Sequence, residues 1–305
     1  MDFSHLLEMQ CMLMSLMIVG YIIDRIGMID VNGRKMLTDI VVGVTLPCNI
    51  VNSFDIELDM TVVLSGIQII VIAVLILAGS MLLGKFLYRG YHDSKKKVLE
   101  YSTVFSNAGI LGNPVAEGAF GSMGLLYASL YLIPVRILLW SFGLTYFTDE
   151  TSTKGLLKKA LTHPCIIAVF IGLLLMFTPL TLTGFVQRTV SSIASANTAL
   201  SMFLVGAILG SVKWREMVDK DTVYYCFVRL FLIPGIVLLC LQLAGVDKVV
   251  GGTAVLLSAM PAAVVTAALA LKYGRDADFS AKIVVLSTIL SVVTAPAWGF
   301  LFTVL

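Results

Sequence analysis

Two short stretches of this 305-residue chain place groups that can bind a polar solute within apolar surroundings. The first is Asn107-Ala-Gly109-Ile-Leu-Gly112-Asn113-Pro114, with Glu117 three residues further on. Its two amides and one carboxylate supply donors and acceptors, and its glycines let the backbone approach a ligand closely. Pro114 has no N–H and strips the helical donor from the carbonyl of Ile110. The second stretch is Ser258-Ala-Met-Pro261, in which Pro261 does the same to Leu257. An unpaired carbonyl in hydrocarbon is costly, so each break must lie against protein or a wet cavity. Helix N-termini at such breaks suit an anion, and loose carbonyls suit a cation. A single proline in a membrane helix is commonly only a kink. A matched pair in corresponding helices of two halves points to a transport site.

Other intramembrane polar groups extend this set. Glu117 either faces a cavity and binds a coupling proton or is simply hydrated near the outer interface. Arg136, just after Pro134, is either half of a structural pair or the cation that meets an anionic solute. Arg229 is expected to snorkel to the cytoplasmic side, and Glu8 to sit at the interface. Asn49 and Asn52 after Pro47, and Asn197 with Thr198 and Ser201, either line the solute path or serve as interhelical hydrogen-bond glue. The five cysteines have no metal-ligand spacing and read as small hydrophobes, so neither a metal site nor a cofactor is expected. There is no H-E-x-x-H, no G-x-S-x-G and no phosphate-binding glycine loop, so an enzyme is not expected.

The elements that must position these groups follow from hydropathy. The chain is 58% hydrophobic and 13% charged, against about 45–50% and about 25% in a soluble domain. Its natural solvent is therefore lipid. A net charge of +2, with no basic block interleaved with aromatics, argues against a nucleic-acid partner. Apolar stretches predict an all-α integral membrane protein with spans near 6–23, 37–54, 62–83, 98–119, 123–147, 164–182, 190–209, 222–243, 249–271 and 283–305. The first is expected to be a retained span rather than a signal peptide. Of the 21 Lys and Arg, 17 fall in odd-numbered loops and only Arg188 and Lys248 in even-numbered ones. That asymmetry puts the odd loops, including Lys95–Lys97, in the cytoplasm and both termini outside, on a multi-pass protein of the cell membrane. A polar linker over 148–163 divides the chain into 1–147 and 164–305. Five spans per half is an odd number, so the halves are inverted repeats, with helices four and nine broken.

The stretch Asn107 to Pro114, followed by Phe120-Gly121, resembles the N-x-G-x-x-G-x-P signature of the auxin efflux carrier family. Length, ten spans and a short central linker are similar to its bacterial members. The resemblance implies an elevator-type transporter like the bile-acid/sodium symporters, in which broken spans four and nine cross at the substrate. Spans one, two, six and seven would form a dimerising scaffold, and the others a mobile transport unit. It further implies a small organic anion as substrate, a carboxylate such as malate, malonate or an auxin-like acid. Asn107 and Pro114 match the family's crossover positions and Pro261 their partner; Gly109, Gly112, Asn113 and Ser258 complete the expected binding set. Plant members carry an acid in span three, whereas Gln68 is the only strongly polar residue there. The expected function is thus a carrier working by alternating access. The competing readings are a potential-driven anion uniporter or channel, and a sodium-coupled symporter.

Overall fold

The structure is a computed structural model and describes residues 3–55, 59–140, 142–147, 162, 164–178, 182–210 and 218–304. Among these, every regular element is helical. In chain order they are α1 (Phe3–Arg25), α2 (Val31–Ile40), α3 (Leu46–Ser53), α4 (Met60–Leu87), α5 (Asp93–Val104), α6 (Asn113–Trp140) and α7 (Pro164–Phe177). There follow α8 (Gly184–Ser195), α9 (Asn197–Gly210), α10 (Lys220–Phe227), α11 (Ile233–Leu243), α12 (Lys248–Ser258), α13 (Val265–Lys272) and α14 (Ala277–Val304). Single π-helical turns, Val41–Thr45, Ala108–Gly112 and Val228–Leu232, precede α3, α6 and α11. Six helical stretches among the described residues are long and apolar enough to cross a membrane: Val31–Ser53, Met60–Leu87, Ala108–Leu139, Gly184–Gly210, Lys220–Leu243 and Ala277–Phe302.

One of these stretches is two helices end to end. Gly121 has φ 64° and ψ −153°, which only glycine adopts without strain. Residues 116 and 124 would be about 12 Å apart along a straight helix at a 1.5 Å rise. Here a Cβ on Gly124 would collide with the Ala116 carbonyl, so the chain folds back on itself at Gly121. The second helix ends at Trp140 and is followed by a short 3-10 turn, Gly143–Tyr146, rather than running unbroken to Phe147. The expected linker over 148–163 lies outside the described residues apart from Thr162.

The chain packs as two compact units. Unit 1 comprises residues 1–68, 109–130 and 161–212. Its α1 and α9 lie backbone to backbone, because Gly20 faces the Phe203 backbone and Gly206 the Met17 carbonyl. With Gly210 this makes a G-x-x-x-G stripe, the small-residue device that lets helices approach closely where lipid gives no hydrophobic drive. The short α3 packs on α7 and α8, and Gly172 receives the Phe54 ring. Outward faces remain apolar, as at Ile18 and Ile22 of α1 and Phe170 and Leu174 of α7.

Unit 2 comprises residues 69–108, 131–160 and 213–305. Here α14 packs against α10, α12 and α13, and α11 against α12. Pro234 in the first turn of α11 leaves the carbonyl of Leu230 without its helical donor, and the Trp298 indole Nε1 fills the gap at 2.7 Å. At one end of the unit, Lys95 pairs with Asp221, Tyr91 donates to the same carboxylate at 3.1 Å, and Arg275 reaches Asp93 at 3.4 Å.

Candidate functional site

The two broken segments meet in unit 2. Past α5 the backbone becomes extended at Phe105 (φ −105°, ψ 116°), and past α12 it leaves the helix at Met260. Ser106 and Ala262 form an isolated antiparallel bridge. The Asn107 N–H donates to the Pro261 carbonyl at 2.8 Å, and the Ala263 N–H to the Phe105 carbonyl at 3.4 Å. The two interrupted segments thus meet as extended stretches running antiparallel.

The position of the first break differs from the sequence reading. It lies at Phe105–Asn107, upstream of Pro114, which sits in the first turn of α6. Pro114 comes just after the π-helical turn Ala108–Gly112, so the helix is already under way when the chain reaches it, and the extended residues lie before that turn. The second break does fall at Pro261.

Buried backbone groups need partners, and at the crossing side chains supply them. The Ala262 N–H donates to Ser287 Oγ at 3.1 Å, and Tyr225 donates its hydroxyl proton to the Ser102 carbonyl at 2.8 Å. Arg229 does most. Its Nε donates to the Met260 carbonyl at 2.8 Å and its Nη1 to the Thr103 carbonyl at 3.0 Å, so one guanidinium joins both broken segments. At 2% exposed, Arg229 does not snorkel to an interface as expected; the carbonyls at the helix ends hold it inside. Linear distance along span eight concealed this. The readable signal was an arginine five residues before a proline in a run otherwise apolar.

The remaining expected residues divide between the units. In unit 2, Asn107, Ser258 and Pro261 are buried, and the Ser258 hydroxyl donates back to the Val255 carbonyl at 2.8 Å. Arg136 is buried on α6 at 9% exposed. In unit 1, Gly109 and Gly112 lie in the π-helical turn before α6. Asn113 is fully buried, and neither atom of its amide has a hydrogen-bond partner among the described residues.

One turn along, half-buried Glu117 accepts a hydrogen bond from Asn49 Nδ2 at 3.0 Å, and Thr198 faces the same carboxylate. Thr45, one turn before Asn49, donates to Asn197 Oδ1 at 3.1 Å, and Ser191 donates to Asn52 Oδ1 at 2.8 Å. The three asparagines expected to line a path or glue helices are therefore all hydrogen-bonded between helices. Thr45 and Ser191 are the partners the sequence reading missed.

An all-helical, lipid-dominated chain with interrupted helices crossing in one unit defines the class: a polytopic membrane protein. The sequence pattern of the family described as "Membrane transport protein" matches residues 5–154 and 150–299, and the chain belongs to that family, which is the auxin efflux carrier family. An "Uncharacterized transporter" of Methanothermobacter thermautotrophicus is 28% identical over 93% of this chain and 94% of its own length. Another of Methanocaldococcus jannaschii is 24% identical over 94% and 95%. A protein of Rhizobium meliloti named "Putative malonate transporter" is 24% identical over 60% of this chain and 66% of its own.

Proposed function

We propose that this protein is a secondary carrier for a small organic anion, a carboxylate of the size of malate or malonate, and that the crossover in unit 2 is where the solute binds. The observation that carries the reading is the antiparallel meeting of Phe105–Asn107 with Pro261–Ala263. Interrupted helices inside a membrane are tolerated only against protein or a wet cavity, and they concentrate backbone donors and acceptors there. Asn107 adds a side-chain amide at the same place. The substrate class is supported by the family, by the relative named for malonate, and by Arg136 as a buried cation in the same unit.

In this reading the chain spans the membrane ten times as two inverted halves, 1–147 and 164–305, joined by a cytoplasmic linker. Among the described residues six stretches qualify by length, and the reversal at Gly121 gives the fourth and fifth spans separate helices. Unit 1, which holds spans one, two, six and seven and also residues 109–130 of the fourth and fifth, acts as scaffold and dimer surface. Unit 2, which holds most of the other spans, carries the solute by an elevator-type movement. Glu117, held by Asn49, is the candidate for a coupling proton.

A panel of radiolabelled mono- and dicarboxylates tested for uptake into proteoliposomes checks the substrate class. Saturable uptake of at least one small dicarboxylate, competed by unlabelled malonate, is the expected result. Uptake of none of the panel, with uptake of a cationic or neutral solute instead, would sink the anion assignment.

A further inference from the structure

Arg229 is 2% exposed and bridges the carbonyls of Thr103 and Met260 through Nη1 and Nε. Thr103 lies in the last turn of α5, and Met260 follows the end of α12. Both carbonyls therefore belong to helix C-termini, where unsatisfied C=O groups and the macrodipole present partial negative charge. Half-helix ends and unwound carbonyls of this kind are what coordinate Na⁺ in carriers built on interrupted helices. No carboxylate pairs with Arg229 among the described residues. The titratable groups that its charge acts on are instead the phenols of Tyr225, Tyr131 and Tyr88. Two of these are tied to the same helix end, Tyr225 to the Ser102 carbonyl and Tyr88 to the Thr103 hydroxyl at 3.1 Å. A buried cation with carbonyls in place of a counter-ion is in the position of a bound metal ion rather than of one partner in a salt bridge.

We propose that Arg229 is a positioning residue that takes the place of a monovalent cation at the crossover, so that the two broken segments are held together without a bound alkali ion. The protein's stability and its transport are then indifferent to Na⁺ and K⁺. A free ion would bind only while its concentration allows. The tethered guanidinium is always present, and its planar fork can reach two carbonyls at once. This rests on the carrier reading only for its transport half; the stability half needs no solute.

The test is thermal unfolding of the purified full-length protein in detergent, with carboxylate uptake in proteoliposomes as a second readout. Each is measured in choline chloride alone and with NaCl, KCl or millimolar guanidinium chloride added. The wild-type protein is expected to give one midpoint and one uptake rate in all four conditions. Arg229→Ala is expected to unfold at a lower temperature in choline and to lose about ten-fold or more of its uptake. Millimolar guanidinium or Na⁺ is expected to restore it in part, saturably. Arg229→Lys keeps the charge and should stay indifferent to added cations. A wild-type midpoint or uptake that depends on Na⁺ or K⁺ overturns the proposal, and so does an Arg229→Ala protein that is as stable as wild type or that no cation restores. The wild-type and Arg229→Lys arms decide the matter if Arg229→Ala does not fold. Absence of carboxylate uptake would count against the carrier reading alone, because the unfolding measurements stand without it.

Discussion

Glu117 accepts from Asn49 at 3.0 Å across a gap of 68 residues in sequence, and both lie in unit 1. A hydrogen bond to a charged group contributes roughly 1.5–3 kcal/mol, enough to hold this carboxylate in one orientation. Glu117→Gln keeps the shape and an acceptor oxygen but cannot carry a proton on and off. The mutant is expected to insert normally and to exchange substrate across the membrane. With the membrane potential clamped, it should no longer accumulate substrate in response to an imposed pH gradient. Undiminished pH-driven accumulation would show that Glu117 is not the coupling group. The sequence marked Glu117, Asn49 and Asn197 as polar groups out of place in lipid, since composition around them is enough for that. Which of them pair was not legible, because pairing depends on how α3, α6 and α9 pack. Arg229 was misread for a related reason. Its depth is set by a π-helical turn and by two distant helix ends, none of which shows in local hydropathy.

The helices themselves follow from local rules. Where the apolar run is long and uninterrupted, as in α4, its sequence reading and its structure agree. Where glycines and prolines intervene, the register of the break shifts. Pro114 reads from sequence as the point of interruption, yet the helix already runs from the π-helical turn at Ala108, and the extended residues come before it. The α1–α9 contact shows what glycine does at the scale of an element. A side chain at Gly206 would meet the Met17 carbonyl, and one at Gly20 the Phe203 backbone, so each helix must move if either is enlarged. Overpacking of this sort costs about 1–3 kcal/mol and occasionally more. Gly206→Val is therefore expected to lower the unfolding midpoint of the detergent-solubilised protein. The same change at Gly79 of α4, where a Cβ would meet nothing within 4 Å, is expected to leave it nearly unchanged. Equal effects at the two positions would mean that close approach is not what unit 1 depends on.

At the scale of the whole molecule, the loop charges and the crossover support one account. With ten spans, seventeen Lys and Arg in the odd-numbered loops against two in the even-numbered ones predict that Lys95–Lys97 face the cytoplasm and both termini the outside. Single cysteines introduced at Lys95 and Lys248 in a background without the five native cysteines test this in sealed cells. An impermeant thiol reagent is expected to label the second and spare the first, and labelling of position 95 from outside would reverse the topology. The central claim is that the crossover carries a small carboxylate by alternating access. Counterflow tests it most directly, because a carrier must return through its binding site and a pore need not. Proteoliposomes loaded with unlabelled malonate and diluted into a trace of labelled malonate are expected to accumulate label transiently above equilibrium. The Asn107→Ala protein should show the overshoot strongly reduced, since the lost amide is worth about ten- to hundred-fold in affinity for a charged solute. Label that merely equilibrates without an overshoot in the wild-type protein, or an overshoot unchanged by Asn107→Ala, would contradict the account.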